Sequence, residues 1–169
     1  MSLQIGDTAP DFRLPDTEGA EHGPDGVTVV VFTCNHCPYA LAWHDRLTQV
    51  ARDYDVTFLL VNPNNAETHP RDSFDAMRER VEADGGWPHP YLRDETQEVA
   101  RAYGAQTTPD VFVLDGDGAL RYRGAPDANH REESENAAWV REALDAVLAG
   151  EQPARPETEP VGCSVKWKR

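Results

Sequence analysis

The fold of this chain is set by one segment, which reads Val27-Thr28-Val29-Val30-Val31-Phe32-Thr33-Cys34-Asn35-His36-Cys37-Pro38. Its first half is a short apolar run rich in valine, which is typical of a strand buried in a parallel sheet. The residues that follow, from Tyr39 to Asp53, are predicted to form a helix. The two cysteines therefore lie at a strand-to-helix junction.

A dithiol at such a junction is expected to be reactive. The N-terminus of a helix presents unpaired backbone N–H groups and a partial positive charge, and both favour a thiolate over a thiol. Cys34 comes first and is predicted to be the attacking nucleophile. Cys37 lies one turn inside the helix and is predicted to attack the mixed disulfide, which releases the product.

The length of 169 residues predicts one domain whose hydrophobic core is large enough to be stable without structural disulfide bonds. No apolar run reaches the roughly 18 residues that indicate a membrane span. The segment Met1–Asp7 lacks the basic region and apolar core of a signal peptide. We therefore expect a cytoplasmic protein, in which three cysteines favour redox chemistry or metal binding over structural disulfides.

The chain is strongly acidic, with 30 Asp and Glu residues against 16 Lys and Arg residues and a net charge of −14. A nucleic acid partner is disfavoured, because a polyanion would be repelled. The only lysines are Lys166 and Lys168. Acidity spread along a chain that is nearly free of lysine is typical of a protein from a salt-accumulating halophile, where salt screens the self-repulsion. An acidic mesophilic protein is the alternative.

Strand and helix patterns alternate along the rest of the chain. A hairpin within residues 1–26 precedes strands at 27–33 and 56–62, which flank a helix at 38–53 and form a βαβ unit with parallel strands. We then predict a helix that is capped by Asp72 or Ser73 and runs to about residue 83, a short strand at Tyr91-Leu92, helices at 95–103 and 134–149, and a hairpin of 111–114 with 119–123.

Residues 1–150 are thus assigned to one domain, and residues 151–169 to a C-terminal arm that carries Cys163. The composition of the arm, rich in proline and acidic residues, resembles that of a disordered linker. We nevertheless expect the arm to be ordered and docked, on the domain or on a neighbouring molecule, with Val165 and Trp167 as its apolar anchors.

The order of these elements, with Cys34 and Cys37 after the first strand of the βαβ unit and Thr108-Pro109 before the second hairpin, resembles the thioredoxin superfamily. The pattern Gly6-Asp7-Thr8-Ala9-Pro10-Asp11-Phe12 and the insertion before Thr108 resemble its redoxin branch, which includes peroxiredoxins and membrane-tethered thiol reductases. The resemblance covers about residues 3–149. It implies an α/β, three-layer thioredoxin-like fold with a central mixed sheet, an N-terminal hairpin and a redoxin-type insertion.

The resemblance also assigns roles to individual residues. Cys34 matches the attacking cysteine, Cys37 the resolving cysteine, and Pro109 the cis-proline that faces the dithiol. A proline at the start of a strand is compatible with sheet pairing. A cis bond here would leave the backbone of Thr108 free to pair with an extended substrate beside Cys34. An ordinary trans-proline turn is the alternative.

His36 lies between the two cysteines. It can donate a hydrogen bond or add positive charge, and either would stabilise the Cys34 thiolate and the reduced form. Family dithiols with histidine at this position are isomerases and oxidants, so we predict a reduction potential less negative than that of a thioredoxin. The alternative is an exposed loop histidine without effect.

The usual proton acceptors of the family are missing. Thr28 stands where thioredoxins carry a buried carboxylate, and Ala40 stands where the tethered reductases carry a glutamate. Asp110, directly after Pro109, is the nearest acid in the constellation, and we predict that it acts as general base for Cys37. The alternative is one more solvated acid in an acid-rich chain.

Cys163 leaves three interpretations open. It is a candidate third redox thiol that resolves or protects the Cys34 thiolate if the arm reaches the dithiol. It could equally link two chains, or serve as a small buried apolar group.

The leading functional prediction is a thiol-disulfide oxidoreductase without cofactor or metal. Its partners would be a protein or small molecule containing a disulfide and an electron donor such as a reductase or a small thiol. A peroxiredoxin-like thiol peroxidase is the alternative, weakened because Val31 stands where those enzymes place a threonine or serine. A metal-binding protein using Cys34, His36, Cys37 and Cys163 is a further alternative.

Overall fold

The computed structural model describes residues 3–169 and has a mixed β-sheet at its centre. The strands are β1 (Leu14–Pro15), β2 (Glu21–His22), β3 (Thr28–Phe32), β4 (Thr57–Asn62), β5 (Tyr91–Arg93), β6 (Thr107–Thr108), β7 (Asp110–Leu114), β8 (Leu120–Gly124) and β9 (Cys163–Ser164). The helices are α1 (Pro38–Asp53), α2 (Phe74–Ala83), α3 (Glu98–Tyr103) and α4 (Ala138–Leu148), with 3₁₀ turns at Pro70–Asp72 and Glu133–Glu135.

The central sheet has the strand order β5-β4-β3-β7-β8. Strand β3 is parallel to β4, which is parallel to β5, whereas β7 and β8 are antiparallel to their neighbours. All five residues of β3 are buried, as its uninterrupted apolar run predicts. The predicted α/β fold with a mixed sheet is confirmed, and β1 pairs with β2 in the predicted N-terminal hairpin.

Alternate residues of the sheet contact two separate apolar layers. Val29 and Val31 face a core that contains buried residues of α1, α2 and α4. Val30 and Phe32 face the other core, which is formed with α3 and the N-terminal segment around Phe12. The sheet is thus the middle of three layers. Cys34 lies just beyond the C-terminal end of β3, the central strand of this sheet.

Two helices begin later than the sequence predicts. Helix α3 starts at Glu98, because Gln97 has a φ of 67° and ends the preceding turn. Helix α4 starts at Ala138, because Asn136 and Ala137 have φ values of 55° and 52° and break the predicted helix. By contrast, α1 keeps its predicted bounds. Its first position is a proline, which fits there because an N–H at this position would have no partner within the helix.

The C-terminal arm lies on the domain in two places. Near its start, the carbonyl of Pro156 accepts a hydrogen bond from the amide of Arg123 in β8, and the amide of Thr158 donates to the carbonyl of Arg123. Near its end, β9 pairs with β6, Val165 is buried, and Arg101 stacks over the ring of Trp167 at 4.4 Å. Between residues 3 and 169, no helix has the length and apolar character needed to cross a membrane.

Candidate active site

The dithiol lies where β3 gives way to α1. Cys34 follows β3 by two residues, and Cys37 is the N-cap residue of α1. Both are free thiols, and their exposed fractions are 0% and 1%. The pair is therefore inaccessible to a bulky reactant in this state of the protein.

Thr108 lies directly against both sulfurs. Its peptide bond to Pro109 is cis, the geometry that the sequence analysis expected. The hydroxyl Oγ1 of Thr108 is 3.4 Å from Cys34 Sγ, and the carbonyl of Thr108 accepts a hydrogen bond from Cys37 Sγ at 3.1 Å. The structure thus brings together the four residues Cys34, Cys37, Thr108 and Pro109 that the sequence picked out.

The two thiols belong to one buried cluster, and their coupling splits their acidities. The neighbouring Cys34 thiol lowers the pKa of Cys37; burial opposes this effect, while Cys163 and the amide of Ala40 reinforce it. The neighbouring Cys37 raises the pKa of Cys34, with burial and the negative charge of Asp72 adding to the rise. The pair therefore loses one proton readily, from Cys37, and the second with difficulty.

Asp72 is the residue of this site that sequence reasoning missed, since it was assigned only as a candidate helix cap. It is completely buried, and its carboxylate lies 2.7 Å from His36 Nδ1. It also accepts hydrogen bonds from the backbone amide of Asn35 and from the side-chain amides of Asn62 and Asn64. A buried charge needs such partners, so Asp72 fixes the loop between the cysteines to the end of β4.

The loop between the cysteines is held from the other side by α2 and β5. Arg80 donates to the carbonyl of Cys34 at 3.2 Å and to the side chain of Asn35 at 3.0 Å. The hydroxyl of Tyr91 donates to the same Asn35 oxygen at 2.7 Å. His36 stacks on His69 with ring centroids 5.4 Å apart, so it is a packed histidine and not a free loop residue.

Asp110 opens β7 opposite Phe32 and is fully buried, which rules out the solvated surface acid considered above. Burial raises the pKa of its carboxyl to about 7. One oxygen accepts from the amide of Gln106 at 2.9 Å, and the other, Oδ1, has no hydrogen-bond partner. Within residues 3–169, no direct hydrogen bond joins Asp110 to Cys34 or Cys37.

The backbone of Thr108 is occupied by the chain itself. Strand β9 of the arm pairs antiparallel with β6, with Cys163 opposite Thr108 and Ser164 opposite Thr107. This differs from the expectation that the backbone of Thr108 is free to pair with an extended substrate. Instead, the arm fills the place next to the dithiol, and Cys163 contacts Cys37 there.

A metal ion would find a donor set that differs from the predicted one. Cys34, His36 and Asp72 each offer a ligand atom, and these atoms lie within 4.8 Å of one another. Asp72 replaces Cys37 and Cys163 of the predicted set. Since the carboxylate of Asp72 is already engaged by three amide groups, an ion would have to compete with these hydrogen bonds.

The sequence and the fold of this chain are similar to those of several known proteins. Residues 4–140 match the family model described as Redoxin. The chain is 28% identical over 127 residues to the thiol-disulfide oxidoreductase ResA of Geobacillus thermodenitrificans, an alignment that covers 71% of this chain and 68% of that protein.

Two crystal structures are similar over nearly the whole length. One is an uncharacterized conserved protein from Geobacillus kaustophilus, with 38% identity, a TM-score of 0.91 and coverage of 98% of this chain and 93% of that one. The other is a hypothetical protein from Sinorhizobium meliloti 1021, with 32% identity, the same TM-score and coverage of 99% and 97%. Both alignments therefore extend into the C-terminal arm. With a thioredoxin-like fold and a family match that spans most of its length, the chain belongs to the redoxin family.

Proposed function

We propose that this protein is a thiol-disulfide oxidoreductase that uses the Cys34–Cys37 dithiol to reduce or exchange disulfides of proteins or small molecules. The observation that carries the proposal is that two free thiols at the start of α1 both contact Thr108, Cys34 at its hydroxyl and Cys37 at its carbonyl. The name of the curated relative, thiol-disulfide oxidoreductase, supports the same class of reaction.

The reaction begins when β9 leaves β6, because Cys34 is otherwise buried. Departure of β9 takes Cys163 away from Cys37 and so removes one cause of the lowered pKa of Cys37, which allows a proton to pass from Cys34 to Cys37. The Cys34 thiolate then attacks one sulfur of the substrate disulfide and expels the other as a thiolate. Cys37 attacks Cys34 Sγ in the mixed disulfide, which closes the Cys34–Cys37 bond and releases the second substrate thiolate.

Asp110 is proposed to accept the proton of Cys37 in the second step. Its pKa of about 7 suits a base that works near neutrality, and its unpartnered Oδ1 is free to act through a bridging water. His36, whose Nδ1 lies 2.7 Å from the carboxylate of Asp72, is proposed to favour the reduced form of the dithiol. The electron donor would be a reductase or a small thiol.

Reduction of insulin disulfides by the full-length protein, compared with the Cys34→Ser variant, tests the proposal. We expect turnover by the wild type and none by the variant. Equilibration with a glutathione buffer then tests the role of His36, since a potential at or below about −270 mV, the thioredoxin level, would contradict it.

Peroxide consumption and elemental analysis address the alternatives. Val31, at the place of the peroxidase hydroxyl, is buried in β3, so we expect no appreciable peroxide turnover with a dithiol. Stoichiometric zinc or copper in the isolated protein would instead favour a metal site at Cys34, His36 and Asp72.

A further inference from the structure

We propose that Cys163 is a third exchanging thiol, which attacks Cys37 in the oxidised Cys34–Cys37 disulfide and passes the bond to a Cys37–Cys163 disulfide at the protein surface. The inference rests on the proposed function, because it starts from the disulfide that substrate reduction leaves behind. Three sets of contacts support it.

The first set is the pairing of the arm with the active-site backbone. Cys163 stands opposite Thr108 in an antiparallel register, where an extended substrate would add as a strand. Gly162 allows this approach, because a Cβ at that position would lie only 2.3 Å from the carbonyl oxygen of Thr108. The arm is therefore seated as an internal substrate whose cysteine faces the dithiol.

The second set anchors the arm beyond the cysteine. The amide of Val165 donates to the carbonyl of Gln106, and the amide of Lys166 donates to the side chain of Asn64 at 2.9 Å. The carbonyl of Lys166 accepts from the amide of Asn65 at 2.8 Å. Since Asn64 also donates to Asp72, the arm and the loop between the cysteines share one hydrogen-bond network.

The third set concerns the sulfur itself. Cys163 packs against the buried cluster that contains Cys37, and it stands opposite Thr108, whose carbonyl accepts the hydrogen bond of Cys37 Sγ, which places Cys37 within its reach. Cys34 and Cys37 are buried, whereas Cys163 is only partly covered. A small thiol that delivers electrons can therefore reach the Cys163 end of a Cys37–Cys163 disulfide without displacing the arm.

The exchange needs no added oxidant. The Cys163 thiolate forms a bond to Cys37 Sγ, the Cys34–Cys37 bond breaks, and Cys34 leaves as a thiolate that takes up the proton lost by Cys163. One disulfide and one thiol are present before and after the step. In the reduced protein, burial and the neighbouring Cys37 raise the pKa of Cys163 to about 11, while Lys166 lowers it; oxidation of Cys37 removes its part of the rise and favours the attacking thiolate.

Disulfide mapping of the full-length chain tests this exchange. Reduced protein is treated with one equivalent of diamide, quenched in acid, alkylated, digested without reduction and analysed by mass spectrometry. In the wild type we expect a Cys37–Cys163 peptide beside the Cys34–Cys37 peptide. In the Cys34→Ser variant we expect nearly complete conversion to Cys37–Cys163, with melting curves showing that the variant is folded.

The matched control moves the thiol by one residue. In the Cys34→Ser background, Cys163→Ser combined with Ser164→Cys keeps the arm and the number of thiols, but neighbouring residues of a strand point to opposite faces, so the intramolecular disulfide should be lost. Two free thiols in folded Cys34→Ser protein, or equal disulfide yields from positions 163 and 164, would overturn the inference. Insulin reduction measured in parallel separates the two proposals: a Cys37–Cys163 bond in a protein that fails to reduce insulin supports the pairing and refutes the proposed function.

Discussion

Substitution of Gly162 by alanine should release the arm from the dithiol. The added Cβ would meet the carbonyl oxygen of Thr108 at 2.3 Å and the nitrogen of Pro109 at 3.2 Å, both of them backbone atoms that cannot rotate away. Inserting a methyl group into a packed site costs about 1–3 kcal/mol, which corresponds to a roughly 5- to 150-fold rise in the population of the undocked arm.

The rate at which Cys34 reacts with a chromogenic aryl disulfide reports this population, because the buried sulfur reacts only when the arm is away. The measurement uses the Cys163→Ser background, so that the partly exposed third thiol does not contribute. If docking equilibrates faster than the reaction, the second-order rate constant should rise by the same factor.

Gly116→Ala is the matched control. Gly116 has open space where its Cβ would lie, so its substitution should leave the rate unchanged. A Gly162→Ala protein that melts like the parent and reacts at the parent rate would refute the idea that the arm covers Cys34.

Three other changes follow from buried charges and from the net charge. Burial raises the pKa of the Asp110 carboxyl from its ordinary value of 3.8 to about 7 in the native state. Between these two pH values the native state keeps a proton that the unfolded chain has released. This proton therefore stabilises the native state at low pH, and that stability is lost as the pH rises through 7. Asp110→Asn should therefore gain stability relative to wild type from pH 5 to pH 8 in urea unfolding, by up to about 2.7 kcal/mol; parallel pH profiles would contradict this. Asp72→Asn should cost about 1–3 kcal/mol, since one carboxylate oxygen becomes an amide NH₂ that faces the donor of either Asn62 or Asn64, whereas the exposed Asp75→Asn should be neutral; equal urea midpoints for the two would remove Asp72 from its structural role. With a net charge of −14, the melting temperature should rise between about 0.1 and about 2 M KCl, and a flat or falling curve would show that self-repulsion does not limit stability.

The sequence predicted the elements that have a strong local signal. The apolar run before Cys34 and the proline at the start of α1 placed the dithiol at its junction, and Thr108-Pro109 before an apolar strand placed the facing backbone. These features need only neighbouring residues, because periodicity and turn chemistry are local properties.

Asp72 and the docking of β9 depend on contacts between distant parts of the chain. Asp72 is 36 residues from His36 in sequence, and nothing in its neighbourhood distinguishes a buried acid from a helix cap. Strand β9 has two residues and no alternating pattern, so only Val165 and Trp167 indicated that the arm is docked. The sequence did predict that the arm would dock, but not that it would occupy the backbone of Thr108.

The start of the arm has a role separate from that of its end. Strand β8 has only β7 as a neighbour in the central sheet, and on its outer side the amide and carbonyl of Arg123 are taken by Pro156 and Thr158. Without these partners, the end of β8 around Arg123 would be an open edge, a template for pairing between molecules. The proposed release of the arm would therefore be confined to the residues beyond Thr158. A chain truncated before Pro156 would keep its dithiol and become prone to self-association.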